Sequence, residues 1–312
     1  MEEKDIRLLS DLIKVRGAAS DELKIKEFIK SYVQSNAKNW KVQPQIIDGG
    51  FFQDTLLLVF GQPKTVIFSH IDTIGFSVGY NQELIKIGGP KLIDGTKLVG
   101  KDSIGEVEAE LVLIENEDDD RIVKYVAERP IDSGTILTFQ PDFRINDTYV
   151  QSAYLDNRLG NFVALKVAET LENGAIAFST YEEHGGNTVG YLANYLFHNH
   201  GVAQALIADI TWVTDGVKHG GGVAISMRDS LLPRRSYLNR ILDLAKASGI
   251  AHQLEVESGG GSDGGMLQKS DLPFDWCFVG APEDNVHSPD EKVFLKDIES
   301  MVALYKYLMH HL

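Results

Sequence analysis

Four apolar runs in this chain each stop at side chains that can ligate a metal. KTVIFSHID ends in His70 and Asp72, AIAFSTYEEH leads to Glu182 and Glu183, QALIADIT carries Asp209, and WCFVGAPEDNVHS leads to His287. A further carboxylate, Asp156, stands in the polar step YLDNR ahead of a helix-like segment. Short apolar runs with polar boundaries read as buried strands. Open α/β sheets bind ligands beyond the carboxyl ends of their strands. The pattern therefore asks for a sheet whose strands, drawn from distant parts of the chain, deliver imidazole and carboxylate to one edge.

The rest of the chain supports such a sheet. Apolar residues recur every three or four positions over 6–15 and 22–33, which predicts two helices, with Ser20 and Asp21 as a cap before the second. Strands are expected over 42–47, 55–60 and 65–69, and the turn GQPK predicts a hairpin between the last two. From 75 to 147 the texture changes to short alternating runs separated by Gly, Pro and Asp, the pattern of a small β-barrel. The acidic cluster 115–120 within it reads as a solvated loop tip. After 153 helical patterns (161–171, 188–197, 237–247, 296–308) alternate with strand patterns (175–181, 205–210, 276–279). The expected fold is α/β: a mixed central sheet with helices on both faces and an inserted small β-barrel domain. Residues 1–74 and 148–312 would form the catalytic α/β unit, and 75–147 the insert.

Composition narrows the function. Thirty lysines and arginines against 45 acids give a net charge of −15, which excludes nucleic acid and anionic membrane surfaces as main partners. Cys277 is the single cysteine, in the apolar run DWCFVG, so a buried inert thiol is expected and no intrachain disulfide can form. No apolar run approaches the ~20 residues that span a bilayer. The acidic, amphipathic start MEEKDIRLLSDLIKVRG is not a secretory leader, so the cytoplasm is the expected compartment.

With no spare cysteines, a metal site here has to use His, Asp and Glu. Two metals ~3.5–4 Å apart need a bridging carboxylate and terminal ligands on each side. His70, His287, Asp156, Glu183 and Asp209 supply three ligands per metal if Asp156 bridges. Glu182 is then left beside a ligand without a ligand's task, free to act as a general base. Asp72 is placed to accept the second imidazole N–H of His70. Each residue alone has a simpler explanation: Asp156 as a helix cap, Glu182-Glu183 as a solvated turn, HSPDE as a helix start capped by Ser288. Their joint position at strand ends is what capping does not explain. The glycine runs 220–222 and 259–265 lack the Lys-Ser/Thr of a phosphate loop and read as loops near the active edge. His219 reads as a surface histidine and Arg234-Arg235 as an exposed charged turn.

In order along the chain, HIDTIGF, YLDNRLGN, YEEHG, ADIT, GGGSDGG and NVHSPDE resemble the landmarks of the di-metal glutamyl and deblocking aminopeptidases, including the tetrahedral TET-type enzymes. The resemblance covers nearly the whole chain. It implies that His70 and Asp209 hold one metal, Glu183 and His287 the other, and Asp156 both. It also implies Glu182 as base, Asp72 as the acid behind His70, a cis peptide at Asp156-Asn157, and Ser262-Asp263 near the substrate. The implied cofactors are two divalent ions per chain, zinc first, with cobalt or manganese as alternatives. The implied reaction is hydrolysis of the N-terminal peptide bond of a peptide substrate by metal-activated water. A homo-oligomer, from dimer to dodecamer, would assemble through the insert. The chain departs from the family pattern at Asn157, where a second aspartate is usual, and in HGGNTVGYL and DGVKHGGGVAISMRDS. Rival readings are a metal-dependent deacylase or carboxypeptidase acting on N-acyl amino acids, a metal-independent glycoside hydrolase using Glu182, and a non-catalytic homologue.

Overall fold

The computed structural model describes residues 1–115, 121–186 and 188–312, so most of the acidic cluster at 115–120 lies outside the described residues. The larger sheet runs in the order Gln45–Asp48, Leu56–Phe60, Gly174–Ser179, Val66–His70, Gln204–Trp212, Asp275–Asp284, Glu291–Phe294, Tyr149–Ser152, Arg144–Ile145. Its four inner strands, from Gly174–Ser179 to Asp275–Asp284, are mutually parallel. Their carboxyl ends therefore share one edge, and the site is built there. Val223–Arg228 joins Asp275–Asp284 antiparallel and carries His252–Val256 parallel on its other side.

Three strands, Leu56–Phe60, Val66–His70 and Gly174–Ser179, are buried at every position, as expected for strands covered on both faces. The expected hairpin across GQPK does not form. Gly174–Ser179 lies between the two strands, antiparallel to Leu56–Phe60 and parallel to Val66–His70. Two strands without a polar face each need two neighbours, and the local turn cannot supply them. One face of the sheet carries helices Glu3–Lys14, Leu23–Asn36, Leu155–Ala168, Arg235–Ser248 and Leu295–His311 over a core that includes Leu9, Ile29, Phe162 and Met301. Thr188–His200 and Asp263–Lys269 cover the other face around Phe68, Leu192, Leu267 and Trp276. The second helix has no side-chain cap from Ser20 or Asp21; Glu22 occupies its cap position and is buried.

A second, six-stranded antiparallel sheet takes Leu84–Ile87, Gly75–Val78, Ile136–Phe139, Lys97–Lys101, Glu106–Glu115 and Arg121–Val126, in that order. A bridge between Glu83 and Lys124 nearly closes it into a barrel around Phe76, Leu98, Leu111, Leu137 and Phe139. Buried and exposed positions alternate from Glu106 to Leu111, the mark of a strand with one wet face. Arg144–Ile145, inside the 75–147 span, pairs with Tyr149–Ser152 in the larger sheet. Among the described residues no helix is long and apolar enough to cross a membrane.

Candidate metal centre

Two groups of side chains converge at the carboxyl edge of the parallel strands: His70, Asp156 and Asp209, and Asp156, Glu183 and His287. Asp156 belongs to both. Its Oδ1 lies 3.3 Å from His70 Nε2 and its Oδ2 3.3 Å from His287 Nε2. Asp209 Oδ1 is 3.6 Å from the same nitrogen of His70, and Glu183 Oε2 is 3.2 Å from His287 Nε2. The five ligand candidates named from the sequence thus come together around one carboxylate.

Local structure explains how each is held. His70 and Asp209 leave adjacent parallel strands. Asp156 opens the helix Leu155–Ala168 at a non-helical position, and the Asp156-Asn157 peptide is cis. This helix lies tightly on the sheet. A Cβ on Gly160 would sit 2.2 Å from the carbonyl oxygen of Ala208, so only glycine permits the approach. Asn161 Nδ2 donates to Ser69 Oγ and to the His70 carbonyl, both at 2.8 Å. Fully buried Arg158 donates to the carbonyls of Ile71 and Val15.

Asp72 couples the two halves of the site. Its Oδ1 accepts the Glu182 N–H at 3.1 Å, its Oδ2 accepts the Glu183 N–H at 2.9 Å, and Oδ1 lies 3.5 Å from His70 Nδ1. Asp72 therefore holds the turn carrying Glu182 and Glu183 through its carboxylate, and the ring of His70 through its carbonyl oxygen, 3.2 Å from Nδ1, with the carboxylate just beyond. Glu182 lines the cavity without belonging to either group.

Sequence reasoning missed Glu291. Its Oε2 accepts the Asp156 N–H at 3.2 Å and its Oε1 the His287 N–H at 3.0 Å, fixing the backbone of two ligand candidates. HSPDE opens the strand Glu291–Phe294 rather than a helix, although Ser288 Oγ does accept the Asp290 N–H. Residues between the first two strands of the second sheet and its later ones also reach the site: Lys91 N–H donates to the His287 carbonyl, and a Cβ on Gly89 would lie 3.1 Å from His287 Nδ1. Ser262 caps the helix Asp263–Lys269, and Asp263 is buried against Ser179. Neither lines the cavity, whereas Gly259, Gly260 and Gly261 do. His219 is packed rather than free at the surface, stacked on Phe294 at 4.3 Å with Nε2 3.0 Å from Asp284. Arg234 is tied to Asp275, and Cys277 is buried, its thiol pushed up by burial.

The carboxylates set a negative field around the two imidazoles. Burial disfavours charge on His287, yet Asp156 and Glu183 push it up to about 11. Burial likewise opposes His70, and Asp209, Asp156 and Asp72 still hold it well above the usual imidazole range. Burial and the nearby Asp156 push Glu183 up to about 7. Burial raises Glu182 well above the usual carboxylate range. Asp156 Oδ1 and Glu183 Oε1 are buried without a hydrogen-bond partner. Buried oxygens left free beside two imidazoles fit the nitrogen and oxygen ligand set of a borderline divalent ion. The groups open into a cavity of about 670 Å³.

Solved structures share this fold over nearly their whole length. An aminopeptidase from the archaeon Desulfurococcus kamchatkensis aligns at TM-score 0.86 and 19% identity, covering 99% of this chain and 95% of its own. A TET aminopeptidase from a marine-sediment Thaumarchaeota archaeon gives 0.85 and 19%, covering 99% and 98%. The Pyrococcus horikoshii TET1 peptidase, described as assembling into a tetrahedron or a large octahedral shell, gives 0.81 and 22%, covering 98% and 99%. The model of the M42 glutamyl aminopeptidase family matches residues 119–304, more than half of the chain, and the protein belongs to that family of peptide-bond hydrolases.

Proposed function

We propose that the chain is a di-metal aminopeptidase that hydrolyses the N-terminal peptide bond of peptides. The observation that carries this reading is the placement of Asp156, with one oxygen toward His70 and the other toward His287. His70 and Asp209 would hold one divalent ion, Glu183 and His287 the other, and Asp156 both. Zinc is the first choice for this ligand set, with cobalt or manganese as alternatives. When bound, the pair would supply Lewis-acid polarisation of the scissile carbonyl and acidify water.

The chain's own residues do the rest. Glu182, which lines the cavity beside Glu183, would take a proton from the attacking water and pass it to the leaving amine. Asp72, through its carbonyl and carboxylate oxygens, would keep the proton of His70 on Nδ1, leaving Nε2 free to ligate. Residues 1–74 and 148–312 would be the catalytic unit. The insert at 75–147 would limit access through Gly89 and Lys91 and offer a surface for homo-oligomer assembly, as the Pyrococcus horikoshii relative assembles.

The test combines metal analysis with substrate choice. Two ion equivalents per chain and cleavage of free-amine peptides, but not of their N-acetylated forms, are expected. Glu182→Gln should retain both ions and lose about 10²–10⁴-fold in kcat. Preference for N-acyl amino acids would move the reading to a deacylase, and full activity in Glu182→Gln would remove Glu182 from the mechanism.

A further inference from the structure

Among the described residues nine carboxylates line the cavity, with Lys91 the one lysine or arginine. Four of the nine belong to the proposed centre and its base, and Asp284 pairs with Lys292 at 2.8 Å. The remaining four, Asp229, Glu255, Glu257 and Glu283, form no ion pair among the described residues. They sit on two walls.

Three of them share the wall made by the strands Val223–Arg228 and His252–Val256. These run parallel and finish together, Ser226 opposite Glu255 and Arg228 opposite Val256, with the Glu257 N–H on the Arg228 carbonyl at 3.0 Å. Asp229, Glu255 and Glu257 are thereby gathered at one end. Glu255 accepts the hydroxyl of Thr211, two residues past Asp209 on the same strand and hence on the same face. Two strand residues cover about 7 Å, so this acidic group stands one long side chain away from the His70–Asp209 pair. Trp212 and Gly260 also line the cavity, a Cβ on Gly260 meeting the Trp212 ring at 3.5 Å, and give it an apolar surface.

Glu283 supplies the independent observation. It is 1% exposed, lines the same cavity, and neither of its carboxylate oxygens has a hydrogen-bond partner. A buried carboxylate left without a partner is strongly unfavourable, and a cationic ligand relieves it.

Resting on the aminopeptidase reading, we infer that the cavity selects peptides with an N-terminal lysine or arginine. Asp229, Glu255 and Glu257 receive the basic head, the stem lies along Trp212, and Glu283, its oxygens without a partner, accepts from the α-ammonium. An N-terminal glutamate or aspartate would instead place its carboxylate against three uncompensated acids.

The experiment is calorimetric binding of lysinamide, norleucinamide and glutamic acid α-amide to the zinc-loaded protein, alongside hydrolysis of lysyl, arginyl, leucyl and glutamyl aminocoumarins. Lysinamide should bind about tenfold tighter than norleucinamide, the scale of one partly shielded charge contact. Lysyl and arginyl substrates should lead in kcat/KM, and Glu257→Gln should narrow the lysinamide-to-norleucinamide ratio. Equal binding of the two amides, or a leucyl or glutamyl substrate in the lead, overturns the inference while leaving the aminopeptidase reading intact. Tight, selective lysinamide binding without hydrolysis of any substrate would uphold the cavity's preference and sink the aminopeptidase reading.

Discussion

Asp72→Asn isolates the coupling between the two halves of the site. Asp72 is fully buried, so the near-isosteric amide opens no cavity and admits no water. The amide keeps one acceptor where the carboxylate had two. One of the N–H groups of Glu182 and Glu183 then faces an NH₂ and loses its partner. A hydrogen bond to a charged group contributes about 1.5–3 kcal/mol, and an orphaned buried donor costs about 1–3 kcal/mol. These overlap, and a net loss of ~3 kcal/mol is expected. At ~2.1 cal/mol/K of unfolding entropy per residue, a chain of 312 residues would melt ~5 °C lower. His70 also loses the carboxylate 3.5 Å from its Nδ1 but keeps the carbonyl of residue 72 at 3.2 Å, so metal binding should weaken toward the lower end of the about 10–100-fold that loss of a partner behind a ligating histidine costs. Thermal unfolding and zinc titration against a competing chelator read the two effects separately. A variant melting within about 1 °C of the parent and binding zinc within about twofold would refute the coupling.

Gly160→Ala drives a methyl group into the Ala208 carbonyl at 2.2 Å, where the obstacle is backbone that cannot rotate away. It should cost about 3 kcal/mol, the upper end of ordinary overpacking, read as a lower urea midpoint at unchanged slope. Burial raises Glu22 from 4.5 to about 7, so its contribution to stability is full below pH 4.5 and is lost as pH rises through about 7. Glu22→Gln should therefore flatten the decline in urea midpoint between pH 5 and 8; an unchanged decline would assign it elsewhere. Dialysis against a chelator should lower the melting temperature and added zinc restore it. A ligand at 100 times its Kd contributes about 2.7 kcal/mol, and a melt indifferent to both treatments would count against a metal centre.

The sequence was most readable where burial is most complete. Val66–His70 and Gly174–Ser179 are buried at every residue, so each stands out as an uninterrupted apolar run ending in a polar step. Their ends, which carry or lead to ligand candidates, stand out for the same reason. Neighbour relations were not, because two strands joined by GQPK look like a hairpin until a third strand from a hundred residues away is seen between them. Val223–Arg228 and His252–Val256 escaped because glycines precede the first and the second exposes Leu254 and Val256. Gly222, at φ +92°, lets its strand pass against the Ala251 backbone, a requirement that resembles loop composition in one dimension. Glu291 carried no signal, since its partners are the N–H groups of Asp156 and His287 and an acid after HSP looks like a helix's first turn.

Asn157, where an aspartate is usual in the family pattern, follows from its hydrogen bonds. The residue is fully buried. Its Nδ2 donates to the Ala208 carbonyl at 2.9 Å, and its Oδ1 accepts the Gly160 N–H at 2.9 Å. The position therefore needs one donor and one acceptor, which an amide provides and an ionised carboxylate does not. In Asn157→Asp the ionised form sets negative oxygen against a carbonyl, while the protonated form restores the donor. The folded protein should accordingly hold that carboxyl above its unfolded value of about 3.9. The variant should be near parental stability below pH 4 and lose about 3–5 kcal/mol, the cost of an unpaired buried charge, as pH rises past the raised value. Urea midpoints at pH 4 and pH 7.5 separate these states, and equal stability of variant and parent at pH 7.5 would overturn the assignment. The consequence for the site follows from position. Ala208 precedes Asp209 and Asn157 follows Asp156, so this one amide ties together the backbones that carry two of the three side chains in the candidate group His70, Asp156 and Asp209. Loosening it should weaken metal binding without touching a ligand.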